Sequence, residues 1–489
     1  MVFSSTAFLF VFLPLALILY FASPKGAKNL ILLAASLFFY LWGGGRFTGM
    51  LLISITVNWL LGQWVDRYRS GDGQPLSPRQ HSLKKIALVS AWVFNLGLLG
   101  YYKYANFIVE QTGAIAPQLL ADWDDITLPI GISFFTFQAL SYVIDVGKGA
   151  APAQKRWDQF ALYVALFPQL IAGPIVRYRD IALQLERRSH SWFRVSQGMM
   201  RFAYGLVKKV IIADSIAQVA NAAFEPGVAL SPSAAWLGLI AYTIQLYFDF
   251  SGYSDMAIGL GRLFGFDLPE NFRRPYSATS ISDFWRRWHL TLSQWIRDYL
   301  YIPLGGSRQG SAKGYRNLAI AFLFTGLWHG ANWTFIIWGI YHGFWVMVER
   351  WLGLAKVPDN GIKIILRRTI TLLIVIAGWV LFRSETWVDA VTYYQALGGI
   401  NNGINGGINI GLPWPQDLQN AWNNQAKLAL TFGASIFFLP HHFTLGPYLD
   451  QSHSPFATGI RFGVACIGFP LALLLTISNQ FSAFLYFQF

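Results

Sequence analysis

Between Asn317 and Val348 the chain carries no Asp, Glu, Lys or Arg. As one helix rising about 1.5 Å per residue, this run would be longer than the roughly 30 Å hydrocarbon core of a bilayer. It must tilt, kink or split, and Gly326, Gly330 and Gly339 are the natural places. Such a segment belongs in lipid or deep inside a membrane domain, which excludes an ordinary water-soluble fold. An ionisable side chain placed inside it is a functional-site candidate by default. His329, within GLWHGAN, is that residue. His342 stands thirteen residues further on, and on a continuous helix it would occupy another face, so it reads as structural.

The rest of the chain agrees with this class. Its 489 residues are 54% hydrophobic, 17% aromatic and 12% charged, about half the charged share of soluble domains. The net charge of +13 sits in short loops between apolar runs, as the positive-inside pattern requires, so it is no sign of nucleic-acid binding. The single Cys466 excludes an intramolecular disulfide and a thiolate metal cage. No ligand spacing for a metal and no phosphate-binding glycine loop is present.

Apolar runs 6–21, 29–42, 47–65, 86–102 and 126–146 read as successive passes. Lys25 and Lys28, then the basic loop 66–85, then Lys148, Lys155 and Arg156 mark one side; the acidic loop Glu110 to Asp125 marks the other. This alternation predicts an outside N-terminus and cytoplasmic basic loops. The run 160–176, broken by Pro168, Gly173 and Pro174, reads as re-entrant or protein-buried. Lys208 and Lys209 place helix 202–223 at an interface or along a polar cavity. Run 234–266, which holds Asp249, Asp255 and Arg262, cannot face lipid, and its carboxylates read as paired with arginines such as Arg286, Arg287 or Arg297. Beyond Arg350 come a span at 369–382, a Gly/Asn-rich aqueous loop at 398–427 and apolar runs 428–439 and 459–477. His441 and His442 read as loop or interface residues. The fold class is an all-α polytopic membrane protein with about 10–12 transmembrane or re-entrant helices, read as one domain over 1–489. Residues 1–350 form its core, 284–343 its central stretch and 351–489 its C-terminal spans.

The stretch FWRRWHLTLSQWIRDYLYIPLGG, Phe284 to Gly306, has Trp285, Trp288, Leu292, Trp295 and Tyr299 at helical spacing. Arg286, His289, Ser293 and Arg297 fall opposite, forming a polar stripe for water, a ligand or a cavity wall. A shielded, unprotonated imidazole is what a general base needs to take a hydroxyl proton. His329 fits that description, and it equally fits a histidine bridging two helices. His289 fits a polar cavity and equally an interfacial helix. Asn332 has the same two readings, as a partner of His329 or as glue between helices.

Longer motifs narrow these choices. WRRWH around His289, GLWHGAN around His329, YFDFSGYSDMAIG from Tyr247, LPIGISFFTF from Leu128 and the opening MVFSS resemble the membrane-bound O-acyltransferase family, in its bacterial branch that acetylates exported polysaccharides. The likeness runs from residue 1 to about residue 350. It implies an O-acetyltransferase with His329 and His289 as a catalytic pair. His329 would be the base, and His289 would orient the acceptor or polarise the thioester carbonyl. Asn332, Ser293, Trp328 and Arg286 are the substrate-binding candidates, and no metal or resident cofactor is expected. One departure is Gln169, in FPQLIAGPI, where this branch is expected to carry His.

The implied reaction moves an acetyl group from a cytoplasmic thioester, acetyl-CoA, across the bacterial inner membrane. The acceptor would be a hydroxyl of an exported polysaccharide such as alginate. Transfer would be direct or through a periplasmic acetyltransferase or carrier protein, with lipid as the only other partner. Acetylation of cellulose or another exopolysaccharide by the same chemistry is the alternative. A transporter is a different class that also uses intramembrane Asp, His and Arg, but no internal repeat is visible. A silent export scaffold would not require both histidines.

Overall fold

The computed structural model describes residues 2–68, 76–113, 123–308, 310–354, 361–400, 412–438, 445–452 and 454–478. The fold is all-α, with no strand among the described residues. Among the described residues, five helices are long and apolar enough to cross a membrane: Lys25–Gly44, Phe47–Asp66, Pro78–Gly113, Gly361–Arg383 and Pro455–Ser478. Shorter apolar helices cover Phe8–Ala22 and Ile132–Gly147. The chain is a polytopic membrane protein. It divides into two compact units, Met1–Met199 with Ala257–Pro269, and Met200–Met256 with Glu270–Phe489.

In the first unit, α2 (Lys28–Gly44) and α3 (Phe47–Asp66) follow the predicted runs closely, and the first run is helical over Phe8–Ala22, ending in α1 (Leu13–Ala22). Helix α4 (Pro78–Leu99) starts at Pro78 rather than Ile86. Ser77 accepts from the Gln80 amide, Gln80 reaches back to Ser77, and Pro78 takes the first helical position. This capping box extends the helix through Lys84 and Lys85. α5 (Ile132–Gly147) is buried from Ile132 through Val146. It packs against α3 and α4 and is therefore surrounded by protein.

Every residue from Phe160 to Val176 is buried, as the broken apolar pattern required. α6 (Trp157–Ala165) ends where Leu166 turns to φ −54°, ψ 110°. Gln169 donates from Nε2 to the Tyr163 carbonyl at 2.6 Å and so ties this break together. α7 (Tyr178–Glu186) completes the unit's smaller helices.

The second unit is organised by α8 (Trp192–Val207), α9 (Asp214–Ala223) and α10 (Pro232–Leu263), in the parts that belong to it. A Cβ on Gly205 would lie 2.5 Å from the Gly252 carbonyl, so two backbones meet there without side chains. That approach brings charges together. Arg201 contacts Asp255 at 2.7 Å, Glu270 at 2.7 Å and Asp450 at 2.8 Å. Lys208 reaches Asp255 at 2.6 Å, and Lys209 reaches Asp249 at 2.8 Å and Asp214 at 2.7 Å. The lysine charges are satisfied by buried carboxylates. One expectation is corrected here. The carboxylates pair with Arg201 and the lysines rather than with Arg286, Arg287 or Arg297. Those three belong to the central stretch, where Arg287 pairs with Asp283 at 2.9 Å and Arg297 with Asp298 at 2.7 Å.

The uncharged run splits at Gly330, one of the three glycines singled out. α13 (Ser311–His329) ends there, Gly330 is extended (φ −167°, ψ 156°), and α14 (Trp333–Trp351) folds back along α13. A Cβ on Gly326 would sit 2.4 Å from the Phe335 carbonyl, and one on Gly339 would sit 2.5 Å from the Phe322 carbonyl. Within the Gly/Asn-rich loop, residues 401–411 lie outside the described residues, while Gln416–Ala421 is a short helix. His441, His442 and parts of the loops 66–85 and 110–125 also lie outside the described residues.

Candidate active site

The central stretch is not one helix. α11 (Ile281–Trp285) is capped at its start by Glu349, whose carboxylate accepts from the Ile281 and Ser282 amides. The chain then turns, and α12 (Leu290–Ile296) begins after His289, which adopts φ 43°, ψ 54°. A non-glycine residue in this left-handed region is uncommon and is held there by its surroundings. The predicted apolar side is buried throughout, from Trp285 to Tyr299. The predicted polar stripe does not form. His289 is 0% exposed, whereas Arg286 and Arg297 are exposed. The left-handed turn separates His289 from the arginines that a regular helix would set beside it.

What holds His289 is Asn271. The Asn271 Oδ1 accepts from Thr291 Oγ1 at 2.9 Å and from the Thr291 amide at 3.3 Å, and lies 3.1 Å from His289 Nδ1. Its Nδ2 donates to Ser254 Oγ at 3.3 Å, which fixes the orientation of the amide. A carboxamide oxygen only accepts, so His289 Nδ1 carries the hydrogen. In the neutral ring Nε2 then bears the lone pair. Asn271 drew no notice in the sequence because it stands eighteen residues before His289, outside any helical period.

His329 is the last residue of α13 and only 3% exposed. Its ring lies 5.0 Å from Trp328, 5.0 Å from Trp338 and 5.1 Å from Phe382, with Phe335 at 6.4 Å. His289 packs on Phe250 at 4.8 Å and on Trp328 at 5.8 Å. Trp328 thus touches both histidines, and the two imidazoles lie no farther apart than those two contacts together allow. The pair is lined by aromatic rings contributed by α10, α13, α14 and α15 (Gly361–Arg383).

The hairpin also brings His342 near this site. It lies on the returning helix, buried, with its ring 4.9 Å from Trp338. One indole therefore stands between His329 and His342. Trp338 is fully buried, and its Nε1 hydrogen meets no acceptor among the described residues.

Of the remaining candidates, Trp328 lies at the centre of this arrangement. Ser293 is half-buried and donates to the Trp288 carbonyl at 3.4 Å. Asn332 caps α14, accepting from the Thr334 amide at 3.0 Å and donating to the Glu385 carbonyl at 2.7 Å. Arg286 is exposed, 3.8 Å from Asp283. Among the described residues no cluster of His, Cys, Asp or Glu is arranged to hold a metal ion.

Known proteins place this chemistry in context. The model of the membrane-bound O-acyltransferase family matches residues 38–355. A probable alginate O-acetylase of Pseudomonas putida is 41% identical over the full length of both chains. One from Azotobacter vinelandii is 47% identical over 81% of this chain and 78% of its own. A peptidoglycan O-acetyltransferase of Helicobacter pylori is 33% identical over 100% of this chain and 98% of its own. With a matched model spanning most of the chain and relatives similar from end to end, this multi-pass membrane protein is an acyltransferase and belongs to the membrane-bound O-acyltransferase family.

Proposed function

We propose that this protein transfers acetyl groups from acetyl-CoA, bound from the cytoplasm, to hydroxyls of an exported polysaccharide beyond the inner membrane, with alginate as the first candidate. The observation that carries this reading is the meeting of two buried histidines on the Trp328 ring. The names of the full-length relatives, alginate and peptidoglycan O-acetylating enzymes, support an acetyl donor and a glycan acceptor. The alternation of basic and acidic loops supports an N-terminus outside the cytoplasm.

In the proposed chemistry His329 accepts the proton of the acceptor hydroxyl as its oxygen attacks the thioester carbonyl. The carbon–sulfur bond breaks, and the proton passes from His329 to the departing thiolate. No covalent enzyme intermediate is required. Of the two roles open to His289, orienting the acceptor is favoured. Its Nδ1 hydrogen is directed to Asn271, so its Nε2 accepts a hydrogen bond and is not placed to donate one to a carbonyl. Trp338 offers the missing donor, since its buried indole N–H can stabilise the developing oxyanion. The acceptor hydroxyl is either on the polymer or on a periplasmic carrier that relays the acetyl group.

A second reading exchanges the histidines. An imidazole held by a third group through Nδ1, with its lone pair on Nε2, is also the usual arrangement of a general base. Glutamine at either position separates the two, since it can orient a hydroxyl but not take its proton. Retained transfer in His289→Gln, with none in His329→Gln, supports the first assignment; the reverse supports the second.

The decisive experiment uses purified enzyme in sealed vesicles, acetyl-labelled acetyl-CoA on one side and alginate, with or without the periplasmic partner, on the other. Label should appear on the polymer or partner and depend on His329. Absence of label on every acceptor, with the protein correctly inserted, would refute the acetyltransferase reading. Uptake of a solute without acyl transfer would instead identify a transporter.

A further inference from the structure

Within the first unit, a cavity of about 850 Å³ opens where α2 begins. Lys25, Lys28, Arg156, Arg187, Arg188 and His190 line it, with Glu186 as the one carboxylate. Arg156 is already paired with Asp158 at 2.7 Å. For Lys25, Lys28, Arg187 and Arg188 no carboxylate lies within ion-pair distance among the described residues. Two of these cations, Arg188 and Lys28, are held in place by the fold. Arg188 donates to Asn29 Oδ1 at 2.6 Å and to the Gln184 carbonyl at 3.0 Å, and its guanidinium lies 4.4 Å over the Phe266 ring. Lys28 Nζ sits 4.6 Å over Tyr20, whose hydroxyl is 2.9 Å from His190 Nε2. Partial burial, reinforced by Lys28, Arg188 and Arg194, holds the His190 imidazole below its usual range, so the lysines and arginines, and not His190, carry the charge of the basin. Like charges gathered around a concave, fixed frame are an anion site in want of its anion.

The position of the cavity identifies the anion's carrier. The apolar helix α1 ends at Ala22 and the membrane span Lys25–Gly44 begins at the cavity wall, so the site opens at a bilayer surface. Its neighbourhood exposes large apolar side chains: Phe21, Leu183, Phe193 and Trp192, the last 88% exposed. Tryptophan and other aromatics at this level suit the headgroup region, with apolar neighbours facing acyl chains. A basic pocket between membrane helices with a lipid-facing rim matches phospholipid phosphate. We propose that this cavity binds the phosphate of an anionic phospholipid headgroup. Arg188 would be the preorganised fork for the phosphate, with Lys25, Lys28 and Arg187 supplying charge around it. Such a site would fix the N-terminal helices at a defined depth in the leaflet.

The test uses the full chain purified in detergent, challenged with phosphatidylglycerol or phosphatidylcholine and read by native mass spectrometry. Wild type should retain phosphatidylglycerol selectively. The triple variant Lys25→Gln, Lys28→Gln, Arg187→Gln removes three cations that make no ion pair within the fold. At roughly fivefold per surface cation, its selectivity should fall on the order of a hundredfold at low salt. Arg308→Gln, an exposed cation outside the cavity, should change nothing, and the charge-keeping triple variant Lys25→Arg, Lys28→Arg, Arg187→Lys should retain selectivity, which separates loss of charge from misfolding. Equal retention of both lipids by wild type, or unchanged selectivity in the triple variant, would overturn the proposal. Coenzyme A serves as the soluble phosphate probe. If its binding, and not that of phosphatidylglycerol, depends on these cations, the phosphate comes from a nucleotide and the lipid assignment fails.

Discussion

Gly339→Ala probes the positioning of His329 without touching any candidate chemical group. The added methyl would lie 2.5 Å from the Phe322 carbonyl and close to the Gly326 backbone, 3.1 Å from its Cα. A carbon and a carbonyl oxygen tolerate about 3.3 Å, so the hairpin helices must separate by roughly 0.8 Å where they now touch. These neighbours are backbone atoms, which cannot swing aside as a side chain would. Overpacking of this kind costs about 1–3 kcal/mol, which a domain of this size survives. The functional cost should be larger in proportion. His329 ends α13 and Trp338 lies beside Gly339 on α14, so the spacing of the two rings changes with the helix separation. A misplacement approaching 1 Å at a reacting group costs on the order of 10²-fold in rate. The assay is acetyl transfer per inserted molecule, with Gly97→Ala as the control, a helical glycine whose added methyl would meet nothing within 4 Å. Near-wild-type transfer by Gly339→Ala would refute the claim that this backbone contact sets the site.

Three further outcomes can be checked. His329→Ala should lower transfer by about 10²- to 10⁴-fold with normal insertion; His289→Ala should also be severe, and the double variant little worse than the worse single one, as measured kinetically on purified protein. Arg201→Met should destabilise by about 3–5 kcal/mol, because it removes the buried cation that Asp255, Glu270 and Asp450 share, which thermal unfolding in detergent will register. Lys84→Cys in a Cys466→Ser background should resist an impermeant thiol reagent in intact cells, since labelling from outside would reverse the proposed topology.

Much of the architecture could be read directly because lipid imposes a length and a polarity that apolar runs declare openly. Helices at 28–44, 47–66 and 361–383 end close to where hydropathy changes. The broken, buried character of 160–176 followed from Pro168, Gly173 and Pro174. Periodicity failed where tertiary contacts override it. Nothing between Trp285 and Leu290 is Gly or Pro, so the left-handed turn at His289 left no local mark. The Asn271 contact and the Glu349 cap span eighteen and sixty-eight positions. The partners of Asp249 and Asp255 were hidden for the same reason, because Gly205 and Gly252 choose them by letting two helices touch. The nearness of His342 to His329 was not legible, because a break at Gly330 turns distance along the chain into proximity.

Trp338 joins these threads in one prediction. A buried indole N–H with no acceptor among the described residues is costly to leave unsatisfied, about 1–3 kcal/mol. The ring itself is well used, packed between His329 at 5.0 Å and His342 at 4.9 Å and against Phe382 at 5.1 Å. Trp338→Phe keeps an aromatic ring and deletes the donor. Two opposing consequences follow. Stability should lose part of the packing of the larger ring but regain the desolvation cost of the stranded N–H, so thermal unfolding should move little. Catalysis should suffer if the N–H serves the oxyanion, because removal of such a donor typically costs about 10²–10³ in kcat. The loss should appear in kcat rather than in KM for the thioester, since the charge exists only in the transition state. A purely structural tryptophan predicts the opposite pattern, a lower melting temperature with kcat per folded molecule unchanged. That pattern would remove Trp338 from the chemistry and leave the two histidines to account for it alone.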